Sequence, residues 1–193
     1  MQLLETIKVD QGKPFFISFH NERFNRTRLE LFGIQENFDL STIINPPDLN
    51  CYRCRIVYSE KIETIEFIPY QHRIFKTFQI MYDDHIDYKY KYLDRSAIQK
   101  LEQFKKEADD ILIIKQGVIT DTSIANVAFF DGEQWITPAN PLLKGTTRER
   151  LLQEWKIKSA TIELKKIKKY SKMALMNALL GFTVLEEFYL IGG

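Results

Sequence analysis

Apolar and polar residues alternate from Glu5 to Val9, which predicts a short half-buried strand. Asp10-Gln11-Gly12-Lys13 is a hairpin-type turn, and Phe15-Phe16-Ile17 continues as an extended apolar run. From His20 to Phe32 the spacing becomes helical, with Phe24, Leu29 and Phe32 on the predicted inner face and Gly33 as the stop. Asn45-Pro46-Pro47-Asp48-Leu49-Asn50 reads as a loop. Three strands follow, over Tyr52–Tyr58, Ile62–Tyr70 and Thr77–Met81.

The texture changes at the polar stretch Tyr82-Asp83-Asp84-His85, where a domain boundary is expected. Beyond it the pattern predicts a helix from Ser96 to Phe104 and strands at Ile111–Ile114, Asn126–Phe130 and Trp135-Ile136. A second helix opens at Gly145-Thr146-Thr147-Arg148, and the last strand lies near Phe182–Phe188. Many short strands with few helices make the chain α+β.

Composition narrows the function classes. Of 193 residues, 45% are hydrophobic and 27% charged, so the chain can bury a core. The net charge of +1 gives no global field for nucleic acid, and the lysines between Lys156 and Lys172 read as a solvated face. No apolar stretch is long enough to cross a membrane, and Met1-Gln2-Leu3-Leu4-Glu5 does not resemble a signal peptide, so a cytoplasmic protein is expected. Cys51 and Cys54 are three apart in a strand and have no second ligand pair. They are expected to be packing thiols, and no metal site is expected.

Four stretches carry candidate chemistry. His20-Asn21-Glu22-Arg23-Phe24 offers a guanidinium that can chelate an anion, or an ordinary helix-surface arginine. Lys91-Tyr92-Leu93-Asp94-Arg95 offers an amine that burial could make nucleophilic. Lys89 lies two residues earlier, on the same face if the segment is extended, and both could be solvated lysines on an edge strand. Asp121 in Thr120-Asp121-Thr122-Ser123-Ile124-Ala125-Asn126 is a carboxylate beside a turn. Gly145-Thr146-Thr147 forms a helix start, where free N–H groups favour anions and where Thr would also serve as a plain cap.

Taken in order, these stretches resemble the fold-type IV pyridoxal-phosphate enzymes, the class IV aminotransferase family, over nearly the whole chain. The first is similar to an H-x-x-R-L helix start, the second to a lysine followed by H-L-N-R, the third to T-E-G-x-x-S-N-F, and the fourth to P-G-I-T-R. The resemblance implies a D-amino-acid aminotransferase-like fold with two subdomains, 1–82 and 83–193, and a cofactor cleft between them. The first would be shortened at its N-terminus, and the second would carry the cofactor lysine. It further implies pyridoxal 5'-phosphate held by Arg23, Lys91, Asp121, Asn126, Gly145, Thr146 and Thr147, with Lys91 catalytic. Asp121 stands where the family has glutamate, one methylene longer. Asn177-Ala178-Leu179-Leu180-Gly181 resembles an N-A-L-x-G segment of aminodeoxychorismate lyases and points Asn177 and Ala178 at the substrate. The resemblance therefore implies a 4-amino-4-deoxychorismate lyase-like homodimer that forms pyruvate and p-aminobenzoate. An amino-acid aminotransferase is the alternative, and a non-catalytic relative is the second alternative.

Overall fold

The alternation at the N-terminus forms β1 (Leu3–Asp10), in which Leu3, Glu5, Ile7 and Val9 all face the core. Gln11 and Gly12 both adopt positive φ, 50° and 75°. That is the two-residue turn whose twist suits a hairpin, and it returns the chain to β2 (Lys13–Pro14). The run Phe15-Phe16-Ile17 is not extended as expected. Phe16 is left-handed at φ 50°, and α1 begins at Ile17 and runs to Phe32. Gly33, at φ 70°, ends α1 by donating its N–H to the Leu29 carbonyl. The buried face of α1 is His20, Arg23, Phe24 and Thr27. Leu29, expected inside, is half exposed, because the helix turns a largely polar face to the sheet.

β3 (Tyr52–Tyr58) pairs antiparallel with β1 and with β4 (Ile62–Pro69), completing a four-stranded sheet in the order β2-β1-β3-β4. Phe24, Leu40, Tyr58 and Ile56 fill the core beneath it. Cys54 lies in that core and Cys51 just before β3. Both are free thiols, and burial pushes Cys54 up to about 12, so it packs rather than reacts.

The remaining strands are β5 (Thr77–Tyr82), β6 (Asp110–Lys115), β7 (Val118–Thr122), β8 (Asn126–Phe130), β9 (Trp135–Pro138), β10 (Lys158–Ala160), β11 (Lys172–Asn177), β12 (Gly181–Val184) and β13 (Tyr189–Ile191). They form one sheet in the order β10-β9-β8-β7-β6-β5-β13, with β11 joined to β8 and β12. Its core gathers Phe78, Leu112, Ile114, Val127, Phe129 and Leu175. Two short helices belong here, α2 (Ser96–Glu102) and α3 (Thr146–Gln153). The single strand expected near Phe182–Phe188 is two strands, β12 and β13. The lysine run is exposed and partly ion-paired, as in Lys165 with Glu163 and Lys156 with Glu154.

A computed structural model describes residues 1–192. Gly193, the last residue of the expected second subdomain, lies outside them. The chain divides into two compact units, 1–72 with 90–94, and 73–89 with 95–193. This differs from the expected 1–82 and 83–193 in two places. β5 pairs with β6 and so belongs to the second unit. Tyr90–Asp94, with Lys91, returns to the first, because it bonds to the start of β1. Among the described residues no helix is long and apolar enough to cross a membrane.

Candidate active site

In the first unit the chemistry gathers around Glu5. β1 presents Glu5 to α1, where Arg23 donates from Nε to Oε1 at 2.7 Å and from Nη2 to Oε2 at 2.6 Å. His20 Nδ1 lies 2.7 Å from the same Oε2. Burial alone would raise the Glu5 carboxyl, but the charge and hydrogen bonds of Arg23, with His20, hold it down at about 2. Burial also lowers His20; Glu5 opposes this, and the positive charges of Arg23 and Lys91 add to it. A buried imidazole against a carboxylate is thus kept towards its neutral form.

Lys91 is fixed to the same strand by its backbone. Leu4 N–H donates to the Lys91 carbonyl at 2.9 Å, Leu93 N–H donates to Gln2, and Leu3 bridges Tyr92. The flanking rings help hold the segment: Tyr90 packs edge-on to Tyr92 and donates its hydroxyl to Glu30 of α1 at 2.7 Å. Lys89 differs from Lys91. It is exposed, its N–H closes a turn on Asp87, and it belongs to the second unit. The extended segment that would place both lysines on one face is replaced by bends.

In the second unit Asp121, Asn126 and Gly145 meet. Asp121 and Asn126 form the pair that joins β7 to β8. Asn126 Nδ2 donates to Asp121 Oδ1 at 2.6 Å and to the Leu143 carbonyl at 2.8 Å, while Leu143 N–H donates to Asp121 Oδ2 at 3.0 Å. This knot pins the loop that enters α3. The approach is close: a Cβ on Gly145 would lie 2.2 Å from Asn126 Oδ1. Gly145 precedes α3, and Thr146 and Thr147 are buried in its first turn. Burial pushes the Asp121 carboxyl up to about 6, against the pull of Asn126, the Leu143 and Leu142 amides and the charge of Arg148.

Asn177 holds the β11–β12 turn. Its Oδ1 accepts from the Leu179 and Leu180 amides, and its Nδ2 donates to the Ile124 carbonyl beside Asp121's turn at 3.2 Å. Ala178 is half-buried within that turn. Sequence reasoning missed two residues. Glu5 was legible as a charge in the core phase of an alternating strand. Arg148 is buried and donates to the Pro138 carbonyl at the end of β9, which fixes the register of α3.

Residues 81–187 match the family described as amino-transferase class IV. An uncharacterized protein of Haemophilus influenzae is 39% identical over 184 residues, 93% of this chain and 98% of the relative. The crystal structure of a presumed 4-amino-4-deoxychorismate lyase from Haemophilus somnus superposes with a TM-score of 0.86 at 37% identity, covering 93% of this chain and 97% of that one. A hypothetical aminotransferase from Mycobacterium tuberculosis in its PLP-bound form shares the fold at 14% identity and a TM-score of 0.79, with coverage of 99% and 81%. The α+β, fold-type IV architecture expected from the sequence is the one observed.

Proposed function

The chain belongs to the class IV amino-transferase family, and on that premise we propose that it is a pyridoxal 5'-phosphate enzyme that converts 4-amino-4-deoxychorismate to pyruvate and p-aminobenzoate. The observation that carries the reading is Asp121: a fully buried carboxylate, raised to about 6, knotted to the loop before α3. A pyridine nitrogen is a chemical fit for such a group, because its proton would supply the positive partner that burial makes valuable. The Gly145 approach fits as well. A side chain is excluded there by Asn126, and the chain enters α3 at a helix start, whose amides are the kind that bind an oxyanion.

Arg23 offers a forked cation for phosphate, and Lys91 an amine anchored on β1. Gly145, Thr146 and Thr147 offer N–H and hydroxyl donors, and Asn126 holds Asp121 in place. When bound, pyridoxal phosphate would supply an electron sink for the carbon bearing the substrate's amine. Lys91 would take the proton from that carbon and Asp121 would keep the ring nitrogen protonated. The likeness to the Haemophilus somnus protein supports the lyase over the aminotransferase, as does the resemblance of Asn177-Ala178-Leu179-Leu180-Gly181 to the N-A-L-x-G segment of aminodeoxychorismate lyases. We further propose a cytoplasmic homodimer that binds neither nucleic acid nor membrane; two free thiols suit a reduced compartment.

Borohydride reduction with pyridoxal phosphate, followed by peptide mapping, tests the site. The pyridoxyl group is expected on Lys91; finding it on Lys89, or nowhere, overturns the reading. Pyruvate release from 4-amino-4-deoxychorismate, without an added keto acid, tests the reaction. Activity only with an amino acid and a keto acid would make the protein an aminotransferase, and a protein that stays colourless with the cofactor would be a non-catalytic relative.

A further inference from the structure

The proposed function uses Arg23 but does not account for the carboxylate beside it. Glu5 occupies the core phase of β1, between Leu3 and Ile7, with no exposure to solvent. An apolar residue there would avoid the cost of burying a charge. Instead Glu5 makes three short contacts with α1, two to Arg23 and one to His20. His20 and Arg23 are three apart, so they lie on one face of the helix and reach the carboxylate side by side.

The geometry of the guanidinium gives this arrangement a purpose. Arg has two donor forks, Nε with Nη2 and Nη1 with Nη2. Glu5 takes the first fork with both of its oxygens, which fixes the guanidinium plane and therefore the direction of the second fork. His20 on Oε2 fixes the plane of the carboxylate in turn. The preceding residue, Leu4, holds the Lys91 carbonyl, so one strand sets both the arginine and the lysine segment.

We infer that Glu5 is a positioning residue that aims Arg23 at the cofactor phosphate, with His20 as its second clamp. The inference rests on the reading that Arg23 holds that phosphate.

The test compares pyridoxal 5'-phosphate with pyridoxal, which lacks the phosphate, by equilibrium dialysis against the full chain. Glu5→Gln keeps the shape and removes the charge. The double variant Glu5→Gln with Arg23→Met removes both partners and leaves no lone charge buried. Glu5→Gln is expected to weaken pyridoxal phosphate about tenfold while leaving pyridoxal within about twofold, the scale of one charged hydrogen bond. A double variant that binds pyridoxal phosphate like the wild type overturns the phosphate reading of Arg23. A double variant that loses it, beside a Glu5→Gln that keeps it, overturns the positioning role alone. Equal losses for the two ligands would make Glu5 a general scaffold and also overturn the inference. If Glu5→Gln does not fold, Glu5→Asp carries the test, since it keeps the charge but withdraws it by about 1.5 Å. An unchanged preference for the phosphorylated ligand in that variant overturns the positioning role.

Discussion

Asn126 bridges Asp121 and the Leu143 carbonyl with a single Nδ2, at 2.6 and 2.8 Å, while Leu143 N–H returns to Asp121. The carboxylate expected to face a cofactor is therefore also the latch of the loop that leads into α3. Any change at Asp121 acts on both roles, and the two can be separated by pH.

The Asp121 carboxyl has an ordinary value of 3.8 and is pushed up to about 6 by burial. The folded state thus holds its proton more tightly than the unfolded state. Its protonation favours the fold below pH 3.8, and that preference is lost as pH rises through about 6. Without cofactor, the wild type should lose up to about 3 kcal/mol across this window relative to Asp121→Asn. The variant's absolute stability falls as well, because its amide nitrogen would face the Leu143 N–H, so the slope and not the level is the readout. Denaturant midpoints at pH 4, 5, 6 and 7 measure it. Bound pyridoxal phosphate should flatten the wild-type slope, and Asp121→Asn should lower turnover by a large factor while leaving phosphate-driven binding mostly intact.

Asp121→Glu restores the family's residue, and from sequence alone it would be expected to preserve or raise activity. The structure sets a stability cost beside it. Both oxygens are already engaged at hydrogen-bond distance in a fully buried site. An added methylene must displace Asn126 or Leu143, at a cost of about 1–3 kcal/mol. A lowered thermal midpoint is expected, and an unchanged one would show that the loop gives way freely.

Gly145→Ala should be more damaging than its single methyl suggests. The new Cβ would lie 2.2 Å from Asn126 Oδ1, so either Asn126 leaves Asp121 or α3 shifts. Both outcomes disturb the donors at the helix start, and a loss of about 1–3 kcal/mol with weakened pyridoxal phosphate binding is expected. Thermal melts and cofactor titration check it together.

Local pattern carried much of the fold into the sequence. The alternation of Glu5 to Val9, the Gln11-Gly12 turn and the Gly33 stop all act within a few residues, and each was readable. Leu29 was misplaced because α1 buries His20 and Arg23 in place of an apolar stripe. That choice depends on Glu5, fifteen and eighteen residues away. β12 and β13 merged into one expected strand because β13 is paired with distant β5, a partnership no local pattern encodes. The candidate site residues were named one by one from family resemblance. The knot between Asp121, Asn126 and Leu143 was not, since the Asp121–Leu143 contact spans 22 positions.

The Glu5 cluster makes the last prediction, an acid-labile first unit. Glu5 has an ordinary value of 4.5 and is held at about 2, where the charge and hydrogen bonds of Arg23 and His20 outweigh the effect of burial. A carboxyl lowered in the fold contributes stability that is present above its unfolded value and lost as pH falls through its folded one. The window is thus from about pH 4.5 down to about 2, with up to about 3 kcal/mol at stake. His20 adds an earlier loss. Burial lowers it, so the unfolded chain takes up a proton near pH 6.5 that the fold resists, and stability begins to fall below that point. Acid should therefore weaken the fold in two stages, and Glu5→Gln should remove the second stage while lowering stability at neutral pH. Stability against pH from 7 to 2, followed by amide exchange in β1 and α1, measures it. A wild type whose β1 amides stay as protected at pH 3 as at pH 5, relative to the variant, would show that Arg23 does not hold Glu5 in its charged form.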